Sequence, residues 1–383
     1  MSTRFGSTDA SMPLHLGLLS QGVLILLVLL LLPAAPTCER NADTSFPAPV
    51  LSKWRTWSRA DGLPSDTVWA VLPDGEGVWI GTTGGLAHFD GSAFTAYRPA
   101  DGLVHRAVTS LAKDPVDGSL WIGTFGGVSH LVGGKFENFT QSTSGLINDV
   151  VYAVAVQGDT VWMGTANGLS GLDRRTGAFV TYDDRNAPFH ENWCYGATVS
   201  EGKLYLSVWG GGLCIRDGAT GHWEVHMDPD GDNRVDVLAD DGILSDVIVT
   251  ASKAGERVWV ASYFGAGLFD GRRWRAFSTA NSGLPRNFVN TVKASGKGCW
   301  IGTDAGLSYF DGSDRWVTYR GMGGRWGEAR LFRDHVPMAV AATEGSPGSD
   351  FIWSVAEATG QRRGLWVGTA RGLSFGEERE AAK

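Results

Sequence analysis

Val78 to Gly91 read VWIGTTGGLAHFDG: a Trp in a short β-branched run, Gly-Thr, Gly-Gly, then an aromatic before Asp-Gly. Two readings compete. Glycines let backbone N–H groups approach an anion, so a phosphate-cradling loop is one candidate. The other is a pair of strands joined by one turn and followed by a second. The rest of the chain decides, because the motif recurs six times. The copies are LWIGTFGGVSHLVGG from Leu120, VWMGTANGLSGLD from Val161, LYLSVWGGGLCIRDG from Leu204, VWVASYFGAGLFDG from Val258, CWIGTDAGLSYFDG from Cys299 and LWVGTARGLSFG from Leu365. Their anchors Trp79, Trp121, Trp162, Tyr205, Trp259, Trp300 and Trp366 are separated by 42, 41, 43, 54, 41 and 66 residues. A period near 42 with strand-like content fits a four-stranded propeller blade. Seven copies predict an all-β, seven-bladed β-propeller of antiparallel blades. No helix follows the glycines, so the phosphate-loop reading fails.

Within the first unit, Thr67 to Leu72 reads as the inner strand, Val78 to Thr82 as the second, Leu86 to Phe89 as the third and Ala93 to Tyr97 as the outer. Asp90-Gly91 reads as a two-residue turn favouring positive φ, and Asp-Gly recurs at Asp217, Asp270 and Asp311. Outer strands carry aromatics three residues apart: Trp54/Trp57, Phe94/Tyr97, Phe136/Phe139, Phe179/Tyr182, Trp223/His226, Trp274/Phe277 and Trp316/Tyr319. Residues i and i+3 point to opposite faces of a strand, which makes sense only if each blade sits between two neighbours. One pair precedes every Trp motif and none follows the last. Residues 53–58 are therefore expected to supply the outer strand of blade seven, whose other strands come from about residues 351–376. Closure also removes exposed sheet edges.

The chain has 383 residues, 43% hydrophobic and 19% charged, with 53 glycines and 16 tryptophans. It can bury a core and is not disordered by composition. A net charge of −8 argues against nucleic-acid binding. An apolar run from Gly22 to Leu32 has the length of a signal-peptide core, and PAAPTC follows it, ending at Cys38. This resembles a bacterial lipoprotein signal, with Thr37 where a smaller residue is usual. A lipidated Cys38, plain secretion and an uncleaved anchor are the three alternatives; all export the domain to the periplasm or envelope, with membrane contact only through that N-terminus. The expected organisation is a signal peptide at 1–37, a tether at 38–50, the propeller at 51–377 and a tail at 378–383. Cys299 reads as a buried free thiol, and Cys194 and Cys214 as free thiols rather than a pair.

At GLPSDTVWAVLPDGEGVWIGTTGGLAHFDG (from Gly62) and its variants around the ring, the sequence resembles the two-component regulator propeller repeat. The resemblance covers about residues 50–376. It implies the extracytoplasmic sensor region of hybrid two-component regulators, some of which respond to oligosaccharides. The sequence departs from that arrangement by ending at Lys383 without a second propeller, kinase or DNA-binding domain, so a sensing role is expected without the signalling output.

In a propeller, the connections from outer to inner strands share a face with the turns between strands two and three, around the channel. Three outer-to-inner connections are unusual: 183–194 lacks Gly-Leu, 228–246 carries an acidic insertion, and 320–350 is the longest irregular stretch, with Arg325, Arg330, Arg333 and His335. The turns on this face bring Phe125, Trp209, Tyr263, Phe264, Asp304 and Arg371; neighbouring connections add Arg106, Trp193, Tyr195 and Arg286. Flat aromatics beside charged donors suit a sugar or another amphipathic ligand. The expected ligand-binding set is Arg106, Trp193, Tyr195, Trp209, Tyr263, Arg286 and Arg371, against the alternative that these aromatics only pack beneath the loops.

DPDGDNRVD places Asp228, Asp230, Asp232 and Asp236 at positions 1, 3, 5 and 9, the alternation with which calcium loops converge carboxylates on one cation. Asn233 stands where Gly is usual and Ala239 where a Glu would close the loop. Calcium is the candidate cofactor, and a solvated acidic turn the alternative. The eight histidines show no metal-ligand spacing and no nucleophile elbow occurs. Three functions follow: a non-catalytic propeller binding a glycan, peptide or envelope protein; a polysaccharide lyase or hydrolase using His105, His190 or His335; and an architectural envelope protein.

Overall fold

The computed structural model describes residues 51–231, 242–322 and 326–378. The signal segment, the tether, Cys38 and Arg325 lie outside the described residues. Blade one consists of Val68–Asp74, Gly77–Thr82, Gly85–Phe89 and Phe94–Tyr97, a four-stranded antiparallel sheet in sequence order. The inner strands of blades two to six are Val108–Lys113, Val151–Gln157, Cys194–Ser200, Ile248–Ala254 and Val289–Ser295. Blade seven combines Ile352–Glu357, Gly364–Thr369 and Gly372–Glu378 with Leu51–Trp57, paired antiparallel so that Trp54 faces Gly376 and Trp57 faces Leu373. The N-terminal strand closes the ring, as its aromatic register predicts.

The outer-strand aromatics form the seams. The second ring of each pair meets the first ring of the next blade: Trp57–Phe94, Tyr97–Phe136, Phe139–Phe179, Tyr182–Trp223, His226–Trp274, Phe277–Trp316 and Tyr319–Trp54. Centroid separations are 5.4–6.4 Å, within the range of edge and offset packing. The circle is complete. At its closure the Leu51 N–H also donates to the Tyr319 hydroxyl at 2.9 Å.

The Trp, Gly and Thr of VWIGT have separate physical jobs. Its aromatic (Trp, or Tyr205 in blade four) packs between blades and is buried in every copy except Trp79, whose ring lies tilted 4.3 Å from that of His88 and is partly exposed. A Cβ on Gly81 would stand 2.7 Å from Val108 Cγ1 of the next blade, so the inner strand approaches too closely for a side chain. Thr82 Oγ1 donates to Gly85 O at 2.8 Å and accepts from Gly84 N–H at 3.1 Å, clamping the turn. Thr124, Thr165, Ser262, Thr303 and Thr369 repeat that clamp. Gly85 then takes φ +149°, where a side chain would meet Tyr97 O.

Two expectations need correction. The turn at Asp90 spans four residues rather than two: the Asp90 carboxylate accepts from the N–H groups of Ser92 and Ala93, which holds its pKa down at about 2. Residues 320–350 are mostly regular. Trp326–Arg333 extends the outer strand of blade six antiparallel, and Val336–Glu344 folds back on it and meets Leu51–Trp57 in parallel at Lys53. Blades six and seven are thereby fused into one ten-stranded sheet. Backbone pairing outcompetes a loop here because an outer strand otherwise leaves an unpaired edge. Ala329 and Leu331 join the core around Trp54 and Tyr319, whereas Val336, Met338 and Val340 stay exposed.

Candidate ligand-binding mouth

Every inner strand carries a β-bulge one residue from its start: the register shifts between Val68 and Ala70, Val108 and Ser110, Val151 and Ala153, Cys194 and Gly196, Ile248 and Thr250, Val289 and Thr291, and Ile352 and Ser354. A bulge adds an unpaired residue and re-aims its side chain. The seven bulged residues are Trp69, Thr109, Tyr152, Tyr195, Val249, Asn290 and Trp353, and all line the central channel. A second set of equivalent positions opens the turn between strands two and three: Thr83, Phe125, Ala166, Trp209, Tyr263, Asp304 and Ala370.

The two sets compensate. Blades one, three and seven put an aromatic on the bulge and a small residue on the turn. Blades two and five do the reverse, with Phe125 and Tyr263 reaching the channel from the turn. Blade four has aromatics at both positions and blade six at neither, although Phe288 just precedes its inner strand. The rings touch in one line, Phe351–Trp353–Trp69–Phe125–Tyr152–Tyr195–Trp209–Tyr263–Phe288, with centroid separations of 3.7–6.5 Å. This crescent runs through all seven blades and breaks between Phe288 and Phe351. The channel below it has a volume of about 740 Å³. Ala, Val, Leu, Ser and Thr side chains line its wall, and among the described residues Lys293 is the one charged lining residue.

Blade four departs from the others for a local reason. Val208 replaces the clamping Thr, and three residues rather than two precede the closing glycine, Gly212. Gly210 and Gly212 take φ +76° and +71°. The looser turn lifts Trp209 between Tyr195 and Tyr263, at 5.3 and 4.8 Å, and Trp193 flanks it at 6.3 Å while 48% exposed. Burial, with help from the neighbouring phenols Tyr263 and Tyr152, pushes the Tyr195 hydroxyl up to about 12. Burial also raises Tyr152 and Tyr263. All three therefore keep their phenolic protons near neutral pH.

The structure thus brings Trp193, Tyr195, Trp209 and Tyr263 together. Arg286 pairs with Asp304 at 3.1 Å beside the end of the crescent. Arg106 and Arg371 are exposed on the connections of blades two and seven and are not among the channel-lining residues. Arg333 and His335 are at the other end of blade six, beside the turn to its outer strand: Asp334 N–H donates to Asp314 O and Arg333 pairs with Asp314. Antiparallel pairing carries the hairpin tip away from the mouth. Trp69, Tyr152, Phe288, Phe351 and Trp353 are mouth residues that the sequence pattern does not single out. Aligning TVWAVL, VVYAVAV, WCYGATV and FIWSVAE exposes the aromatic column, but nothing in a strand pattern marks it as bulged.

Asp228 is buried, and its N–H donates to Asp246 Oδ1 at 2.8 Å. Asp232 and Asp236 lie outside the described residues. Among the described residues no group of three His, Cys, Asp or Glu side chains is placed to hold a metal. Cys194, Cys214 and Cys299 are free and buried, and burial raises all three thiols.

Residues 62–84 match the model of the two component regulator propeller family. That stretch carries one copy of the two component regulator propeller repeat. Similar solved structures share the fold. The extracellular domain of the hybrid two component system BT3049 from B. thetaiotaomicron is 18% identical at a TM-score of 0.65, over 85% of this chain and 41% of that one. That of BT4673 from the same organism is 18% identical at 0.61, over 87% and 40%. YCF48 bound to D1 peptide is 13% identical at 0.55, over 88% and 100%. The chain thus spans about two fifths of the two extracellular domains it resembles. No curated protein matches it in sequence. At these identities what is shared is the propeller fold.

Proposed function

We propose that the chain is an exported, non-catalytic sensor-type propeller that binds a glycan on the aromatic crescent at its channel mouth. The observation that carries this is the unbroken line of rings contributed by all seven blades. Contiguous aromatic rings with protonated phenols among them offer apolar surface and hydrogen-bond donors together, the chemistry of a sugar-binding surface. The apolar segment before Cys38 and the extracellular domains among the similar folds support export.

The test is calorimetric titration of neutral, amino-sugar and uronate oligosaccharides against the exported domain. Trp209→Ala and Tyr263→Ala are expected to weaken binding about tenfold or more, as truncating an aromatic anchor does. Their thermal midpoints should stay near that of the wild type. If no oligosaccharide binds saturably, the reading is wrong.

A further inference from the structure

The aromatics of blade four stand in an acidic sector of the rim. The connection that enters this blade lies directly against its loosened turn: Trp209 N–H donates to Trp193 O at 2.8 Å, and a Cβ on Gly210 would meet Glu191 Cγ at 3.1 Å. On the other side of the turn, Gly212 N–H donates to Asp246 O at 3.0 Å. The described parts of the two connections, 183–193 and 227–247, carry Asp183, Asp184, Glu191, Asp228, Asp230 and Asp246 against a single arginine and no lysine. That arginine, Arg185, is paired with Asp183. Asp184 accepts from Asn192 Nδ2 at 3.1 Å, and Asp246 from Asp228 N–H at 2.8 Å. Glu191 differs from them. It is exposed, and its carboxylate makes no hydrogen bond or ion pair among the described residues. An open carboxylate therefore stands beside Trp193 and Trp209, where a ligand in solvent reaches it.

We propose that Glu191, together with Trp193 and Trp209, forms a subsite of the mouth that takes the protonated amine of an amino sugar. This rests on the glycan-binding reading above and narrows it to a ligand class. Aromatic faces attract a cation through the ring quadrupole, and a carboxylate beside them adds a charge-assisted hydrogen bond. The rings meet at wide angles, 56° for Trp193–Trp209 and 82° for Trp209–Tyr263. Angled aromatic walls beside a carboxylate are the arrangement that holds an ammonium head. A uronate would meet Glu191 and the acidic connections as like charge and be disfavoured. An N-acetylated sugar keeps the same ring but brings no cation.

The experiment titrates wild type, Trp209→Ala and Glu191→Gln with four probes: protonated glucosamine oligomers, N-acetylglucosamine oligomers of equal length, galacturonate oligomers, and oligolysine as an amine that is not a sugar. Thermal melts accompany each variant. The expected result is a wild type that prefers glucosamine oligomers over their N-acetylated counterparts by about tenfold, a preference that shrinks as salt is added. Glu191→Gln should abolish that preference while its melting and its affinity for the N-acetylated oligomers stay at the wild-type level. An unchanged preference in Glu191→Gln, with binding still lost in Trp209→Ala, would overturn the role of Glu191 and leave the mouth intact. A wild type that favours N-acetylated or uronate oligomers, or that binds oligolysine as tightly as glucosamine oligomers, would overturn the amino-sugar assignment. Absence of all glycan binding would sink both readings.

Discussion

The seams between blades and the mouth of the channel use the same side chains for opposite ends. At the seams, Trp57, Trp316 and Tyr319 are buried, and the corresponding contact recurs at every blade boundary. At the mouth, Trp193 is 48% and Phe125 38% exposed, and the aromatic shifts between bulge and turn from blade to blade. Regularity marks structure and irregularity marks the candidate site. The physical difference is local: seam residues follow the pleat of the outer strands, whereas mouth residues stand on bulges or turns that break it.

The sharpest way to break this contrast is at a seam. Trp57 touches Phe89, Phe94 and Trp366 where the last blade meets the first. Trp57→Ala should cost about 3–5 kcal/mol in urea unfolding, as large-to-small core changes do. A loss under about 1 kcal/mol would mean that ring closure does not depend on this seam. A mouth change should do the reverse. Replacing Val208 by Thr and deleting Gly211 gives blade four the clamped turn of the other blades. Val208 is fully buried, so the new clamp must satisfy the added hydroxyl; stability should change by less than about 2 kcal/mol while glycan affinity falls about tenfold. Equal stability and equal affinity would show that the looser turn does not place Trp209 for binding.

The smallest expected effect is alkaline. Tyr195 at the mouth is raised to about 12 and Tyr319 at a seam is raised further, both chiefly by burial. In the unfolded chain phenols ionise near 10. The folded state therefore holds protons that the unfolded state has released, so this stability is complete below about pH 10 and lost as pH rises toward 12. Thermal midpoints should be flat in this respect from pH 8 to 10 and then fall. Tyr319→Phe should flatten that decline more than Tyr195→Phe, because Tyr319 is the more deeply buried. The opposite order would place the tighter proton at the mouth.

Part of the site is legible in the order of residues alone. Trp209 and Tyr263 stand out because they follow Ser207-Val208 and Ala261-Ser262, which replace the Gly-Thr of the other copies. Trp69, Tyr152 and Trp353 do not, because an aromatic second in a strand reads as ordinary packing. The 320–350 segment misleads for a related reason. Its residues carry no turn-and-strand rhythm of the repeat, so they read as loop, yet Ala329 and Leu331 find a core to join only because blade six offers an open edge.

The sequence by itself determined the number of blades, their strand order and the closure by residues near Trp54 and Trp57. Those follow from a period and from paired aromatics, which are properties of order along the chain. The tertiary structure alone decided which aromatics face the channel and that Glu191 lies against the turn carrying Trp209. It also decided that the hairpin fuses two blades. Bulges, loop contacts and edge pairing depend on what a neighbouring segment presents, and residues far apart in sequence supply that neighbour.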